Sequence, residues 1–90
     1  MSRILITPEE LDRIAAQFQN GANSSKDLSD RLNSAIQSMQ GQWDGMTQQR
    51  FFQRYETDKK NMLTYIQMLT DVSTELKNIA DRFRQADQQG

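Results

Sequence analysis

The chain has 90 residues, a formal net charge of −1, and neither histidine nor cysteine. These absences remove the commonest general base, the usual zinc ligands, thiol nucleophiles and disulfides, so we expect no enzyme, no metal site and no cofactor. The 11 basic and 12 acidic residues leave no basic face for a nucleic acid. A hydrophobic content of 36% is low for one small domain that must build a core alone, which favours a partner.

The N-terminus shows no targeting or membrane segment. Ile4-Leu5-Ile6 is followed by polar residues, far short of the ~7–15 apolar residues of a signal-peptide core. No run approaches the ~20 apolar residues of a spanning helix. From the residues alone, we interpret the chain as cytosolic.

The first predicted helix covers about residues 8–40. Thr7 is a hydroxyl cap, Pro8 suits the first helical position, and Glu10 completes a capping box. Gly41 is a natural left-handed end. Between these two ends, apolar residues recur at the three-four spacing of a heptad seam, with Gly21 and Ser25 at its middle positions. The seam comprises Leu11, Ile14, Phe18, Leu28, Leu32, Ala35 and Met39.

Residues 20–25 are weak helix formers, and a loop there would split the helix in two. However, Phe18 and Leu32 lie two whole heptads apart, and an ordinary loop need not preserve that phase. The pattern therefore favours one continuous helix.

A second line at seven-residue spacing runs beside this seam. It comprises Ala15, Ala22, Ser29, Ile36 and Trp43. Small residues allow another backbone to come close, so we interpret this line as facing a partner.

The second predicted helix covers about residues 46–86 and also carries two seams. The first comprises Phe52, Tyr55, Met62, Ile66, Leu69, Leu76, Ala80 and Phe83, with interruptions at Lys59 and Ser73. The second comprises Phe51, Tyr65, Val72 and Ile79, broken at Asp58. Together, two adjacent seams form an apolar stripe that is wider than one facing helix can cover, so part of the stripe is left for a partner.

The pattern predicts an all-α fold: a single domain over residues 1–90, built as an antiparallel two-helix hairpin with short flexible termini. We expect two hairpins to dimerise into an elongated four-helix bundle. The predicted dimer interface comprises Phe18, Ala15, Ala22, Tyr65, Val72 and Ile79.

The predicted turn, residues 41–45, holds the only tryptophan. Asp44 can cap the second helix, and Gly45 tolerates the reversal. Trp43 has two interpretations: a staple that packs between the helix ends, or a partly exposed anchor for another protein. The two are compatible.

Trp43 and Gly45, placed between two heptad-patterned halves, resemble the WXG-motif family of ESAT-like (Esx) proteins, of the EsxA type. Phe52 stands nine residues after the tryptophan, where family members commonly carry an aromatic, and Thr7 to Glu10 resembles the family's opening. The resemblance implies a small dimeric substrate of type VII secretion in Gram-positive bacteria. It also implies secretion without a cleavable signal peptide, and partnership with itself or a related Esx protein and with the secretion ATPase.

In this family the export signal joins the turn to a Tyr-x-x-x-Asp/Glu tail, which an antiparallel partner brings together. Here neither Tyr55 nor Tyr65 has an acid four residues later. The nearest stand-in is Phe83 with Asp87. Its alternative interpretation is a last core residue followed by a solvated acid.

Two other functions remain open. The first is a cytoplasmic coiled-coil adaptor without an export role, in which Trp43 and Gly45 only shape a tight reversal. The second is a membrane-active helix pair, against which the interspersed charges argue.

Overall fold

The computed structural model describes residues 5–89 and the side chains of residues 5–87. Helix α1 spans Pro8–Ser38 and helix α2 spans Gly45–Gln89. They pack against each other as an antiparallel hairpin whose extents are 68 × 21 × 17 Å. The predicted all-α hairpin is confirmed. Neither helix has a stretch of sufficient length and apolar character to cross a membrane within the described residues.

Local capping sets the start of α1. Thr7 has an extended backbone, and its hydroxyl accepts a hydrogen bond of 3.1 Å from the Glu10 N–H. Pro8 follows as the first helical residue, where its missing N–H costs nothing. The helix is continuous through residues 20–25, so packing overrides the weak propensity of that stretch.

The helix boundaries differ slightly from those predicted. Helix α1 ends at Ser38, with Met39 as its cap, and α2 continues past residue 86 to Gln89. The longer α2 occupies much of the C-terminal segment that the sequence left as a flexible end. Part of the other predicted flexible end, residues 1–4, lies outside the described residues.

Small side chains fill the space between the helices. Ala15 and Ala80 are completely buried and Ala22 nearly so. The buried Ser73 hydroxyl donates a 2.8 Å hydrogen bond to the Ala15 carbonyl, which satisfies a polar group that burial would otherwise penalise. Ser73 is also the largest described side chain that is fully buried. Leu11, at 6% exposure, is the one large apolar side chain that is buried among the described residues, so the helices meet mostly through small residues.

The prediction that Ala15 and Ala22 face a partner is wrong. Both are buried inside the hairpin, at 0% and 2% exposure, and Ser29 of the same line is buried as well. Leu28 and Leu32, which the sequence placed inside, are 50% and 46% exposed. Of the predicted seam, only Leu11 is buried, at 6% exposure, so the inward side of α1 combines residues from both predicted lines.

In α2 the predicted first seam does face α1. Ser73 and Ala80 are buried there, and the Tyr55 hydroxyl reaches Asn33 of α1 at 3.3 Å. Tyr65, on the second line, is 52% exposed. The order of the two seams was therefore predicted correctly in α2, whereas in α1 the buried positions come from both predicted lines: Leu11 from the first, and Ala15, Ala22 and Ser29 from the second.

Candidate functional site

One side of the hairpin is apolar and open. In each helix, the residue directly before an inward-facing residue lies about 100° to one side. Because the helices are antiparallel and both right-handed, those sides coincide on one surface. We call this surface the apolar face; it comprises Ile14, Gly21, Leu28, Tyr65, Val72 and Ile79.

Exposure along the apolar face is substantial. Leu28 is 50% exposed and Tyr65 is 52% exposed, while Ile14, Val72 and Ile79 are half-buried. Three predicted interface residues, Tyr65, Val72 and Ile79, thus lie together where a partner can reach them. Phe18, a fourth, is half-buried close to the hairpin interior.

Gly21 lies at the middle of the apolar face. The contacts of Ala15 with Ser73 and of Asn33 with Tyr55 set Gly21 level with about residue 67, the midpoint of α2. A Cβ built on Gly21 would meet only Leu69 Cδ1, at an ordinary 3.9 Å. Packing within the hairpin therefore does not require glycine at this position.

At the turn, Trp43 is stapled to both helices. Its indole N–H donates a 2.8 Å hydrogen bond to the Met39 carbonyl at the end of α1, which also accepts from the Gln42 N–H at 3.1 Å. Its ring lies 4.9 Å from that of Phe51 and 6.3 Å from that of Phe52, in tilted contacts. Since the side chain is only half-buried, it combines the staple with a partly accessible surface.

Asp44 caps α2 as predicted. Its carboxylate accepts from the Thr47 N–H at 3.1 Å, and its carbonyl accepts from Gln48 at 3.0 Å. Hydrogen bonding from the side chain and the backbone N–H of Thr47 holds the pKa of the Asp44 carboxyl below its usual value, because it favours the charged form.

The two glycines of the turn have different roles. Gly41 has φ +87°, a left-handed conformation that disfavours other residues. Gly45 has no such angle, and a Cβ there would meet nothing within 4 Å. Chain reversal thus requires Gly41, whereas nothing within the hairpin requires Gly45.

At the opposite end of the rod, Phe83 and Asp87 line a common cleft of about 320 Å³. The remaining lining residues are Ile6, Thr7, Pro8 and Ala86. The structure therefore brings the two predicted tail residues together and adds the start of the chain to them. Their spacing of four residues was the sequence signal; nothing in the pattern indicated Ile6 or Pro8.

An ion pair ties the two helices together at this end. The Arg84 guanidinium donates to Asp12 Oδ2 at 2.7 Å. This hydrogen bond raises the pKa of Arg84 above its usual value. Both side chains are about 40% exposed, so solvent screens much of the attraction.

The turn and the tail cleft are far apart within one chain. They lie at opposite ends of a rod 68 Å long, and the apolar face runs between them. Among the described residues there is no cluster of His, Cys, Asp or Glu that could hold a metal.

Comparison with known sequences identifies one family. The WXG100 profile, described as "Proteins of 100 residues with WXG", matches residues 3–88. Protein YukE of Bacillus subtilis (strain 168) is 33% identical over 87 residues, which cover 94% of this chain and 88% of YukE.

Solved structures agree. The secreted protein EsxB of Bacillus anthracis str. Sterne superposes with a TM-score of 0.85 at 46% identity, over 97% of this chain and 99% of that one. Geobacillus thermodenitrificans EsxA gives a TM-score of 0.81 at 30% identity, covering 97% and 95%. The family profile covers nearly the whole chain, and a Trp-Asp-Gly turn joins its two helices. This chain therefore belongs to the WXG100 family of Esx proteins.

Proposed function

We propose that this chain is exported by, or coupled to, type VII secretion as an antiparallel dimer. Members of the WXG100 family are type VII secretion substrates, and their helical hairpins dimerise. The secretion ATPase recognises the dimer at a composite surface, which joins the turn of one chain, Trp43 and Gly45, to the tail of its partner, Phe83 and Asp87. No cleavable signal peptide is involved.

The observation that carries the proposal is the apolar face. The hairpin leaves Leu28 and Tyr65 half exposed, while its buried residues among those described are alanine and serine with the single exception of Leu11. Covering the exposed half of a Leu or Tyr side chain recovers about 1 kcal/mol. Several such side chains on each copy make a second copy of the chain the natural cover for the face.

The position of Gly21 suggests the register of the dimer. Two equal rods that overlap along their whole length have their two-fold axis at mid-rod, beside Gly21. An antiparallel arrangement about that axis places each turn next to the partner's tail cleft. One hairpin cannot make this contact with itself, because its turn and cleft lie at opposite ends of the 68 Å rod.

A complementation experiment tests the composite surface. Trp43→Ala damages the turn, and Asp87→Ala damages the tail; each variant expressed alone leaves every composite surface of its dimer incomplete. Co-expression produces mixed dimers in which one surface is doubly damaged and the other is intact. We expect little export of either variant alone and substantial export of both when they are co-expressed.

The readout is each variant, carrying a distinct epitope tag, in culture supernatant free of lysis markers. A strain without the secretion ATPase is the control and should release neither variant. If co-expression fails to restore export although mixed dimers form in the cell, the composite surface is wrong. Retention of the wild-type protein in the cytoplasm with an active secretion system would favour the adaptor function instead.

A further inference from the structure

A groove lies behind the turn, on the side of the hairpin opposite the apolar face. It measures about 530 Å³ and is lined by Gly45, Phe52, Glu56 and the glutamines at 40, 48, 49 and 53. Helical geometry shows on which side of the hairpin the groove lies. Tyr55 faces α1, and Glu56, the next residue, is rotated about 100° to one side of it. Residues of the apolar face come directly before inward-facing residues, so they are rotated about 100° to the other side. A second copy covering the apolar face therefore leaves this groove open.

The lining combines amide groups with an apolar surface. A glutamine side chain both donates and accepts hydrogen bonds, which suits the N–H and C=O groups of a polypeptide backbone. The oxygen Gln48 Oε1 already accepts from the Gly41 N–H, at 2.6 Å, so this amide is held in place with its NH₂ group as a donor. Phe52 is half-buried and supplies the apolar contact.

Charge gives the groove its polarity. Glu56 is the one charged residue of the lining and forms no ion pair among the described residues. Phe52 and Glu56 are one helical turn apart, about 6 Å along the axis at 1.5 Å per residue. In an extended chain, side chains two residues apart share one side at about 6.6 Å. An apolar side chain followed two residues later by a basic one therefore matches this spacing.

We infer that this groove binds an extended polypeptide segment with an apolar-x-basic pattern. The apolar side chain packs on Phe52, the basic one pairs with Glu56, and glutamine amides bond the backbone. The absence of a side chain at Gly45, where a Cβ would meet nothing within 4 Å, leaves room for the segment. This inference rests on the proposed function, because both place recognition at the turn. The experiments below can nevertheless refute peptide binding in the groove without refuting export.

Nuclear magnetic resonance of the purified, ¹⁵N-labelled full chain tests the groove with three capped peptides. The first has the sequence Gly-Leu-Gly-Arg-Gly, the second replaces Arg with Glu, and the third replaces Leu with Ser. We expect the first to shift the side-chain amides of Gln49 and Gln53 with a millimolar dissociation constant. The second and third should bind more weakly.

Variants locate the contact. Glu56→Gln should weaken binding of the arginine peptide about 1.4- to fivefold, the range for an exposed ion pair, and remove the preference for Arg over Glu. Gln53→Ala should also weaken binding. Gln85→Ala is the matched control, since Gln85 is equally an exposed glutamine of α2 but lies at the other end of the rod.

Two results would overturn the inference. One is a set of shifts that is absent or lies outside the groove, and the other is equal binding of the arginine and glutamate peptides. Either result leaves the export complementation unaffected, because neither Trp43 nor Asp87 lines the groove. Successful complementation without peptide binding would remove the groove and keep the proposed function.

Discussion

Replacing Gly21 with alanine separates the stability of the hairpin from its pairing. Glycine inside a helix costs about 0.5–1 kcal/mol relative to alanine, and the added Cβ would meet only Leu69 Cδ1 at 3.9 Å. Within a single hairpin, Gly21→Ala is therefore stabilising. A glycine that destabilises its own helix without improving any contact in it is explained by a neighbour from outside.

The same methyl group has the opposite effect in the proposed dimer. Gly21 lies at mid-rod on the apolar face, so the two-fold axis brings both copies of the substitution into one region. Overpacking a fitted contact costs about 1–3 kcal/mol. At 1.4 kcal/mol per factor of ten, the dissociation constant should rise roughly 5- to 150-fold.

Sedimentation equilibrium across the micromolar range measures the dissociation constant, and circular dichroism at the same concentrations measures helix content. Asn20→Ala is the matched control, because Asn20 is exposed on the same helix, on the side opposite α2 and about 100° around the helix from Gly21. It raises helix propensity as well, but it should leave the dissociation constant unchanged.

A Gly21→Ala chain that pairs as tightly as the wild type, or more tightly, would refute the mid-rod register. The dimer would then have to be staggered along the rod, or formed through another surface. In either case the turn of one chain would no longer meet the tail cleft of its partner.

Three further outcomes follow from single contacts. Tyr65→Asp should raise the dimer dissociation constant, measured by sedimentation, more than tenfold, because pairing would bury an unpaired charge. Leu63→Asp is the control and should leave the dissociation constant unchanged, because Leu63 is 51% exposed against 52% for Tyr65 but lies on the other side of α2. Trp43→Phe removes the indole hydrogen bond to Met39 and should lower the unfolding free energy in urea by about 1 kcal/mol, with helix content by circular dichroism unchanged. The hydrogen bonds of the cap lower the pKa of the Asp44 carboxyl from its ordinary value near 3.8, so the ionised carboxylate stabilises the fold fully above that value, and this stabilisation is lost as the pH falls through the lower pKa of the folded state. The difference in melting temperature between wild type and Asp44→Ala should therefore shrink from pH 5 to pH 2. A constant difference would contradict this.

Features set by neighbouring residues could be predicted from the sequence. The Thr7 and Asp44 caps use side chains that act on the next few backbone N–H groups, and both are observed. The α2 seam was also predicted, because its inward line carries most of the large apolar residues and is visible by periodicity. Local chemistry and a strong pattern agree in these cases.

The inward side of α1 could not be predicted, because it depends on the distance between the helices. Either of two adjacent lines could face α2, and size favoured the leucines. The observed close approach selects Ala15 and Ala22 instead. For a similar reason, only the α2 residues of the tail cleft could be predicted from the sequence. Ile6 lies beside Phe83 because the helices pack antiparallel, and no sequence spacing indicates that contact.

The exposure of the α1 leucines at positions 28 and 32 strengthens the case for pairing. Had the leucines turned inward, the hairpin would have enclosed its own apolar core, and the outer line of Ala and Ser would have offered a partner little area. With alanine and serine inside, the same helix instead displays Leu28 and Leu32 to solvent. Tight packing within the hairpin and an apolar surface outside it thus have one origin, and the chain gains most of its remaining hydrophobic stabilisation only when a second copy covers that surface.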